Sequence, residues 1–504
     1  MKNSPRLSIF LFVFLVNAGV ASAQSLTPDL PTWWAKYQTL LKHGPANASP
    51  ADPAVAAGSE NDASNECGPQ SETFITLNHS ATNNLTAGSN EIFRNPMRGY
   101  FSSDGGATWG VVDVPLPNPI GGVNSFDFGS DPSLAYDTHG NVFYSFIVVY
   151  FSNAGSKGNN INGTELAVAS SSDGGQTYPG ISQFSFLTGK DHFNDKPMIT
   201  ADTNTASPFR DNLYVAWDAS SGGSSGGGVR LARSTDHGAT FTVRRIDNPN
   251  GPGRAIGAVP FVGPKGEVYA AWNDFSKANN ITFNRSFDGG VTWGIPNVVA
   301  TKNASFQILV PAESFRGALI YPSCDADRSS GPHSGRLYCS WMDLTASGVA
   351  DIFLSSSDDH GTTWSPPKSV TDQLLPSLVD RFNHWLSVDS VTGSVNISFY
   401  DTRNDTTGSR FQTDVYFTQS ANGGATFLSP NLRVTTVSSN EHDCDGLFPC
   451  PGIDLGNQYG DYEGLVSFGG ISHPIWTDSR EQLTPSSGCR TNLKMEEVFS
   501  ATVQ

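Results

Sequence analysis

The sequence predicts an all-β chain assembled from a repeated sheet unit. Three observations carry this expectation. An eight-residue pattern recurs six times along the chain. Between its copies lie short apolar strands that end in an aromatic residue and an acid. Turn residues are abundant, and long helical heptads are absent. The 51 glycines and 31 prolines among 504 residues fall well below the ~25–30 % combined share of low-complexity chains. With 15 % charged and 38 % hydrophobic residues, the composition is that of a folded, loop-dense protein.

The eight-residue pattern reads Ser, any, Asp, any, Gly, any, Thr, aromatic. It begins as Ser102-Ser103-Asp104-Gly105-Gly106-Ala107-Thr108-Trp109 and recurs at 171–178, 234–241, 286–293, 357–364 and 420–427. The last copy has Asn422 in place of Asp. Successive third positions lie 69, 63, 52, 71 and 63 residues apart, and chance does not supply six such matches. The motif makes sense as turn chemistry. Ser and Asp side chains bond nearby backbone N–H groups, and Gly supplies a positive φ. The aromatic residue plugs the space between neighbouring sheets. Asn422 can make the same local bonds, and no catalytic role follows for these residues.

Around each copy lies a longer unit. Leu213-Tyr214-Val215-Ala216-Trp217-Asp218, Val268 to Asp274, Leu337 to Asp343, Ile397 to Asp401 and Pro474 to Asp478 alternate at strand length between turn signals. Seven such units can be counted, at about 71–115, 131–186, 195–246, 257–300, 316–370, 383–434 and 460–503.

The octapeptide resembles the Asp-box, or BNR repeat, of the sialidase (neuraminidase) superfamily, across about residues 71–503. The resemblance implies a β-propeller, each unit supplying one four-stranded blade. Seven blades are expected, with six, the usual sialidase number, as the alternative. The resemblance further implies a secreted glycoside hydrolase acting on a glycan at the channel mouth, of exo-α-sialidase type. A non-catalytic propeller that binds glycan or protein is the alternative, because fold alone does not decide function.

Ligands of propellers bind where the innermost strands begin. Phe193-Asn194-Asp195-Lys196, Phe382-Asn383-His384-Trp385 and Tyr459-Gly460-Asp461-Tyr462 mark that place. If they share one register, Asp195, His384 and Asp461 are equivalent, with Asp131 and Arg316 starting neighbouring units. Sialidases use a Tyr nucleophile assisted by Glu, an Asp acid/base, and three Arg that grip the substrate carboxylate. A neutral nucleophile avoids repulsion by that carboxylate, and the planar guanidinium binds it twice. The segment Asp461-Tyr462-Glu463-Gly464-Leu465-Val466 resembles the family's late Tyr segment. It makes Tyr462 the expected nucleophile, with Glu463 taking its proton and Asp195 as acid. Phe93-Arg94-Asn95-Pro96 resembles the family's Phe-Arg-Ile-Pro, with Asn95 departing and the spacing to the first box short. Arg94, Arg381 and Arg403 are the expected substrate-binding arginines, the last two by blade position only, and His384 joins them.

Ahead of the repeats, Lys2 and Arg6 precede the apolar run from Leu7 to Val20, and Ala21-Ser22-Ala23 forms a small-residue cleavage site. Residues 1–23 therefore read as a secretory signal, too short for a ~20-residue membrane span. Residues 24–70 read as a short helix near Pro31 to Leu41 and an Ala/Pro/Ser-rich linker; the propeller would occupy 71–504. No membrane span is expected after cleavage. Removing the signal takes away two positive charges and no acid, so the net charge of −17 becomes −19. Such acidity excludes nucleic acid as a partner, leaving a carbohydrate or glycoconjugate.

In an exported chain, six cysteines without a C-x-x-C pair favour disulfides over metal. Proximity suggests Cys324 with Cys339, Cys444 with Cys450, and Cys67 with Cys489, among fifteen pairings. No cofactor is implied. Asp443, Asp445 and Asp454 could offer calcium oxygen ligands, although without EF-hand spacing a solvated loop is favoured. No zinc spacing and no phosphate loop are present.

Overall fold

The computed structural model describes residues 60–64, 69–92, 94–118, 126–151, 163–188, 192–221, 227–251, 253–276, 278–314, 316–372, 378–442, 458–480, 482–483, 493–494 and 496–504. Seven antiparallel sheets, six of four strands and one of five, follow one another around a ring, a seven-bladed β-propeller. Six blades are continuous in sequence. The first, for example, comprises Gln70–Leu77, Leu85–Glu91, Met97–Ser102 and Gly110–Val114 in that order from the axis outward. The others cover 126–188, 192–245, 255–301, 322–369 and 381–433. The seventh is composite. Gly464–Phe468, Ile471–Asp478 and Glu497–Ala501 come from the end of the chain, and Glu60–Asp62 pairs outside them. The propeller thus begins at residue 60, inside the stretch read from sequence as linker. An isolated run of three residues carries too little periodicity to reveal itself as a strand. The expected helix near residues 31–41 and the signal segment lie outside the described residues.

Every copy of the octapeptide joins the third strand of a blade to the fourth, with one hydrogen-bond pattern. In the first, Ser102 Oγ donates to Asp104 Oδ1 (2.8 Å) and accepts from Gly106 N (2.9 Å). Thr108 donates its N–H to Asp104 Oδ1 (2.9 Å) and its hydroxyl to Oδ2 (2.6 Å). In the sixth copy the Asn422 amide donates to Thr426 Oγ1 (2.8 Å), reversing that last bond while keeping the turn. The motif aromatic packs on the preceding blade: Phe241 stacks on Phe184 at 4.4 Å, and Trp364 meets Phe283 edge-on at 5.3 Å. Trp109 closes the ring, its indole N–H donating to Ser500 of the seventh blade (3.0 Å). Between the sheets lie fully buried aromatics, among them Trp217, Trp272, Trp341 and Trp476. The Cys324–Cys339 disulfide joins paired residues of adjacent strands. Cys67, Cys489, Cys444 and Cys450 lie outside the described residues.

Candidate active site at the strand-start end of the channel

The innermost strand of five blades carries the same irregularity near its start. Register shifts fall between Ser71 and Phe74, Ser130 and Ser133, Asp195 and Met198, Ile256 and Val259, and Phe382 and Trp385. At each bulge one residue adopts positive φ: Glu72 (54°), Asp131 (60°), Lys196 (53°), Gly257 (68°) and Asn383 (42°). Only Gly257 holds this conformation without strain, and a Cβ there would sit 2.6 Å from the Tyr321 ring. The other four store about 1–3 kcal/mol each, a cost that persists where bulges re-aim side chains.

The result is a buried charged cluster. Glu72, Asp131, Asp195, Lys196, Asp218, Arg316 and Asp461 are each no more than 5 % exposed. Lys196 Nζ pairs with Asp461 and lies 3.5 Å from Glu72 Oε1. Arg316 Nε donates to Asp461 Oδ1 (2.9 Å), and its Nη2 lies 3.5 Å from Glu72. Asn90 donates to Glu72 Oε2 (2.8 Å) and accepts from Asp131 N (3.0 Å). Besides burial, the charge of Asp195 raises its neighbour Asp131, and Asp195 Oδ1 is buried without a hydrogen-bond partner. Asp218 stands opposite Asp195 in the register and accepts from Gly257 N (3.3 Å).

Five carboxyls face two cations, and burial penalises every uncompensated charge. Burial pushes Glu72 up to about 8 against the pull of Lys196. Asp218 rises to about 8, Asp195 to about 7 and Asp131 to about 6, burial being the largest cause in each. Burial would raise Asp461 too, but Arg316 and Lys196 overcome it and hold that carboxyl well below the usual range. The surrounding acids hold the Lys196 ammonium well above its ordinary value despite burial. Beneath the cluster lies an aromatic floor. Trp385 meets Phe74 at 5.3 Å and Tyr462 at 6.3 Å, and Tyr462 meets Tyr321 at 5.7 Å. Lys196 Nζ lies 5.7 Å from the Tyr321 ring centre. Further along the channel is a cavity of about 140 Å³ that includes His79, Asp325 and Arg328 in its wall.

Of the residues expected from sequence, Asp131, Asp195, Arg316 and Asp461 enter the cluster. Their register differs from expectation: the bulge residues Lys196 and Asn383 are equivalent, so Asp195 precedes that position and His384 follows it. Asp195 and His384 are therefore two places apart. His384 turns instead toward the Ser340 backbone of the preceding blade, and burial lowers it to about 4. Tyr462 belongs to the floor, its hydroxyl donating to Pro132 O (2.9 Å). Glu463 is buried beside Tyr400 and Thr477, and burial raises it strongly. The three expected arginines are held by acids of the blades. Arg94 pairs with Glu91 (2.8 Å) and Asp113 (3.1 Å), and Arg381 with Asp401 (3.1 Å) and Asp351 (3.4 Å). Arg403 pairs with Asp401 (2.6 Å) and Asp372 (3.0 Å). Glu72, Lys196 and Asp218 were not anticipated. For Asp218 the signal was present in the strand-ending Trp217-Asp218. Asp443, Asp445 and Asp454 lie outside the described residues.

No family model matches the chain, and no curated protein does. Solved structures do. A leech intramolecular trans-sialidase complexed with 2,7-anhydro-Neu5Ac aligns at 14 % identity and TM-score 0.47, covering 72 % of this chain and 69 % of its own. A Hadza microbial sialidase aligns at 14 % identity and TM-score 0.45, over 66 % of this chain and 63 % of its own. The intramolecular trans-sialidase of Ruminococcus gnavus aligns at 14 % and 0.43, over 68 % and 91 %.

Proposed function

We propose that the protein is a secreted glycoside hydrolase whose reaction centre is the carboxyl cluster at the strand-start end of the channel. One observation carries this reading: the cluster holds a carboxyl that burial raises to neutral pH beside one kept ionised. Asp195 is pushed up to about 7 by burial, while Arg316 and Lys196 keep Asp461 charged. Glycosidic cleavage needs this division, a proton for the leaving oxygen and a negative charge facing the cationic sugar. Asp195 is the general acid, and Asp461 supplies the charge. Tyr462 keeps a packing role, because its proton is directed at the Pro132 carbonyl rather than at a carboxylate. The Asp-box resemblance makes sialosides the first substrates to try.

A second reading, a non-catalytic propeller that binds glycan, is favoured by the closure of the cluster, where no member exceeds 5 % exposure. A screen of the purified mature protein against fluorogenic glycosides separates the two. Hydrolysis that disappears in Asp195→Asn and survives in Tyr462→Phe supports the carboxyl-based enzyme. Loss in Tyr462→Phe with retained fold restores the tyrosine mechanism. Glycan binding without hydrolysis of any substrate moves the protein to the second reading.

A further inference from the structure

At the opposite end of the propeller, two neighbouring blades bring two histidines and two aspartates together. Asp137 and His139 lie in the turn between Phe126–Tyr136 and Val142–Phe151. Asp211 lies just before Leu213–Ser221, and His237 sits within the third octapeptide. The donor atoms of Asp137, His139 and His237 all lie within 4.8 Å of one another. His237 Nδ1 is 3.4 Å from Asp137 Oδ2, His139 Nδ1 is 3.4 Å from Asp211 Oδ2, and His139 Nδ1 is 4.0 Å from Asp137 Oδ2.

We propose that Asp137, His139 and His237 form a binding site for a divalent transition-metal ion of the zinc class, with Asp211 beside His139. The spacing suits an ion better than direct pairing. Four ligands at the ~2.0–2.2 Å bond lengths of zinc stand about 3.4 Å apart along the edges of a tetrahedron. A His–Asp charge-assisted hydrogen bond closes to ~2.7–2.9 Å instead. The His237–Asp137 separation of 3.4 Å matches that edge while staying within hydrogen-bond reach, and His139–Asp137 at 4.0 Å lies beyond it, so an ion would draw His139 inward.

The carboxylates are positioned independently of the imidazoles. Asp137 Oδ1 accepts from His139 N and Asn141 N (both 2.9 Å), and its Oδ2 accepts from Asn141 Nδ2 (2.8 Å). Asp211 is held by Thr138 N (2.8 Å) and Thr138 Oγ1 (3.0 Å). Both carboxylates are thus preset, and two half-exposed imidazoles lean over them. Imidazole with carboxylate suits zinc, copper or nickel, whereas calcium and magnesium prefer oxygen alone.

His237 also occupies an unusual position. The residue before the second motif glycine is Gly105, Gly174, Gly289 or Gly423 in four copies, all at positive φ. In the third copy it is His237 at φ 54°, a strained conformation that the turn itself does not require of an imidazole. His360 stands at the same place in the fifth copy, but there its Nδ1 meets the Tyr269 hydroxyl at 2.9 Å. His360 therefore serves as an internal control. Three protein ligands leave the fourth position to a solvent oxygen, and the site would tie the second blade to the third.

Chelator-treated full-length mature protein is titrated with Zn²⁺ by calorimetry, with Ca²⁺ and Mg²⁺ in parallel, and its thermal midpoint is followed. One Zn²⁺ per chain, a raised midpoint and no response to Ca²⁺ or Mg²⁺ are expected. Stoichiometric binding is lost in His139→Ala and in His237→Ala and kept in His360→Ala. Both site variants retain the wild-type midpoint without metal, since each side chain is about half exposed (54 %). Absence of stoichiometric Zn²⁺ binding by the wild type overturns the proposal. So does binding that the His139→Ala/His237→Ala double variant keeps unchanged.

Discussion

Replacing Lys196 by methionine tests the energetics of the charged cluster most directly. Methionine fills most of the same volume, so the cavity contribution is small. What is lost is an ammonium with no solvent exposure, paired with Asp461, 3.5 Å from Glu72, and lowering Asp131, Asp195 and Asp218 by its charge. Removing one partner of a buried ion pair leaves the other uncompensated and costs about 3–5 kcal/mol. The cost depends on pH with a definite sign. Wild-type Lys196 has a folded pKa above its unfolded value, so its contribution is fully present across neutral pH and is lost only as pH rises through the alkaline range. In the variant the five carboxyls face Arg316 alone and relieve their repulsion by binding protons. The destabilisation is therefore larger near pH 8 than near pH 5. Urea unfolding followed by tryptophan fluorescence at both pH values measures it. A destabilisation below about 1 kcal/mol at pH 8, equal to that at pH 5, would refute the idea that Lys196 compensates these carboxylates.

Wild-type stability should itself fall between about pH 5 and 8. Glu72, Asp195 and Asp218 have folded values of about 8, 7 and 8, above their unfolded values, so the native state gives up protons that the unfolded chain has already lost. Each retained proton adds a slope of about 1.4 kcal/mol per pH unit, and a flat stability profile over that range would contradict the assignment. If the protein hydrolyses a glycoside, Asp195→Asn should lower turnover by about 10²–10⁴ while leaving the thermal midpoint near that of the wild type. Trp109→Ala should cost about 3–5 kcal/mol, because the indole is 8 % exposed and bonds Ser500 across the seam between first and last blades; an unchanged denaturation midpoint would show that the seam is held elsewhere. Truncation to residue 69 removes the outer strand Glu60–Asp62 together with the Glu60 carboxylate that meets Arg480 at 3.0 Å. It should expose the edge of Glu497–Ala501 and lower the midpoint measurably.

The repeated units were legible because turn chemistry is local. Ser102, Asp104, Gly106 and Thr108 bond one another within seven residues, so their spacing in the sequence is their spacing in space. The aromatic-acid strand endings were legible for the same reason, and together they identified seven blades. The charged cluster was not. Lys196 and Asp461 are 265 residues apart, and Arg316 and Glu72 are 244 apart; no local pattern encodes such pairs. The bulges hid them further. One additional residue at positive φ shifts the register, so aligning Asp195 with His384 by their neighbours Asn194 and Asn383 misplaced one against the other. The closing strand Glu60–Asp62 escaped notice because its partner Glu497–Ala501 lies at the far end of the chain.

The bulges bear most directly on function. A propeller needs only regular inner strands to close its channel, and apolar side chains can fill it, as Phe74, Trp385 and Tyr462 do one step along. Here four blades instead hold Glu72, Asp131, Lys196 and Asn383 in a left-handed conformation at matching places. Three of those side chains are ionisable, and their charges meet in a volume closed to water. Neither the strain nor the desolvation stabilises the fold, since a buried ion network is at best neutral against well-packed apolar residues. Two independent costs at one location are what a site tuned for proton transfer requires, because the same burial that destabilises the carboxylates brings Asp195 to about 7. If the cluster only closed the channel, Lys196→Met combined with Glu72→Gln and Asp461→Asn would restore stability and leave any activity intact. Recovery of stability with loss of hydrolysis is the outcome expected of a reaction centre.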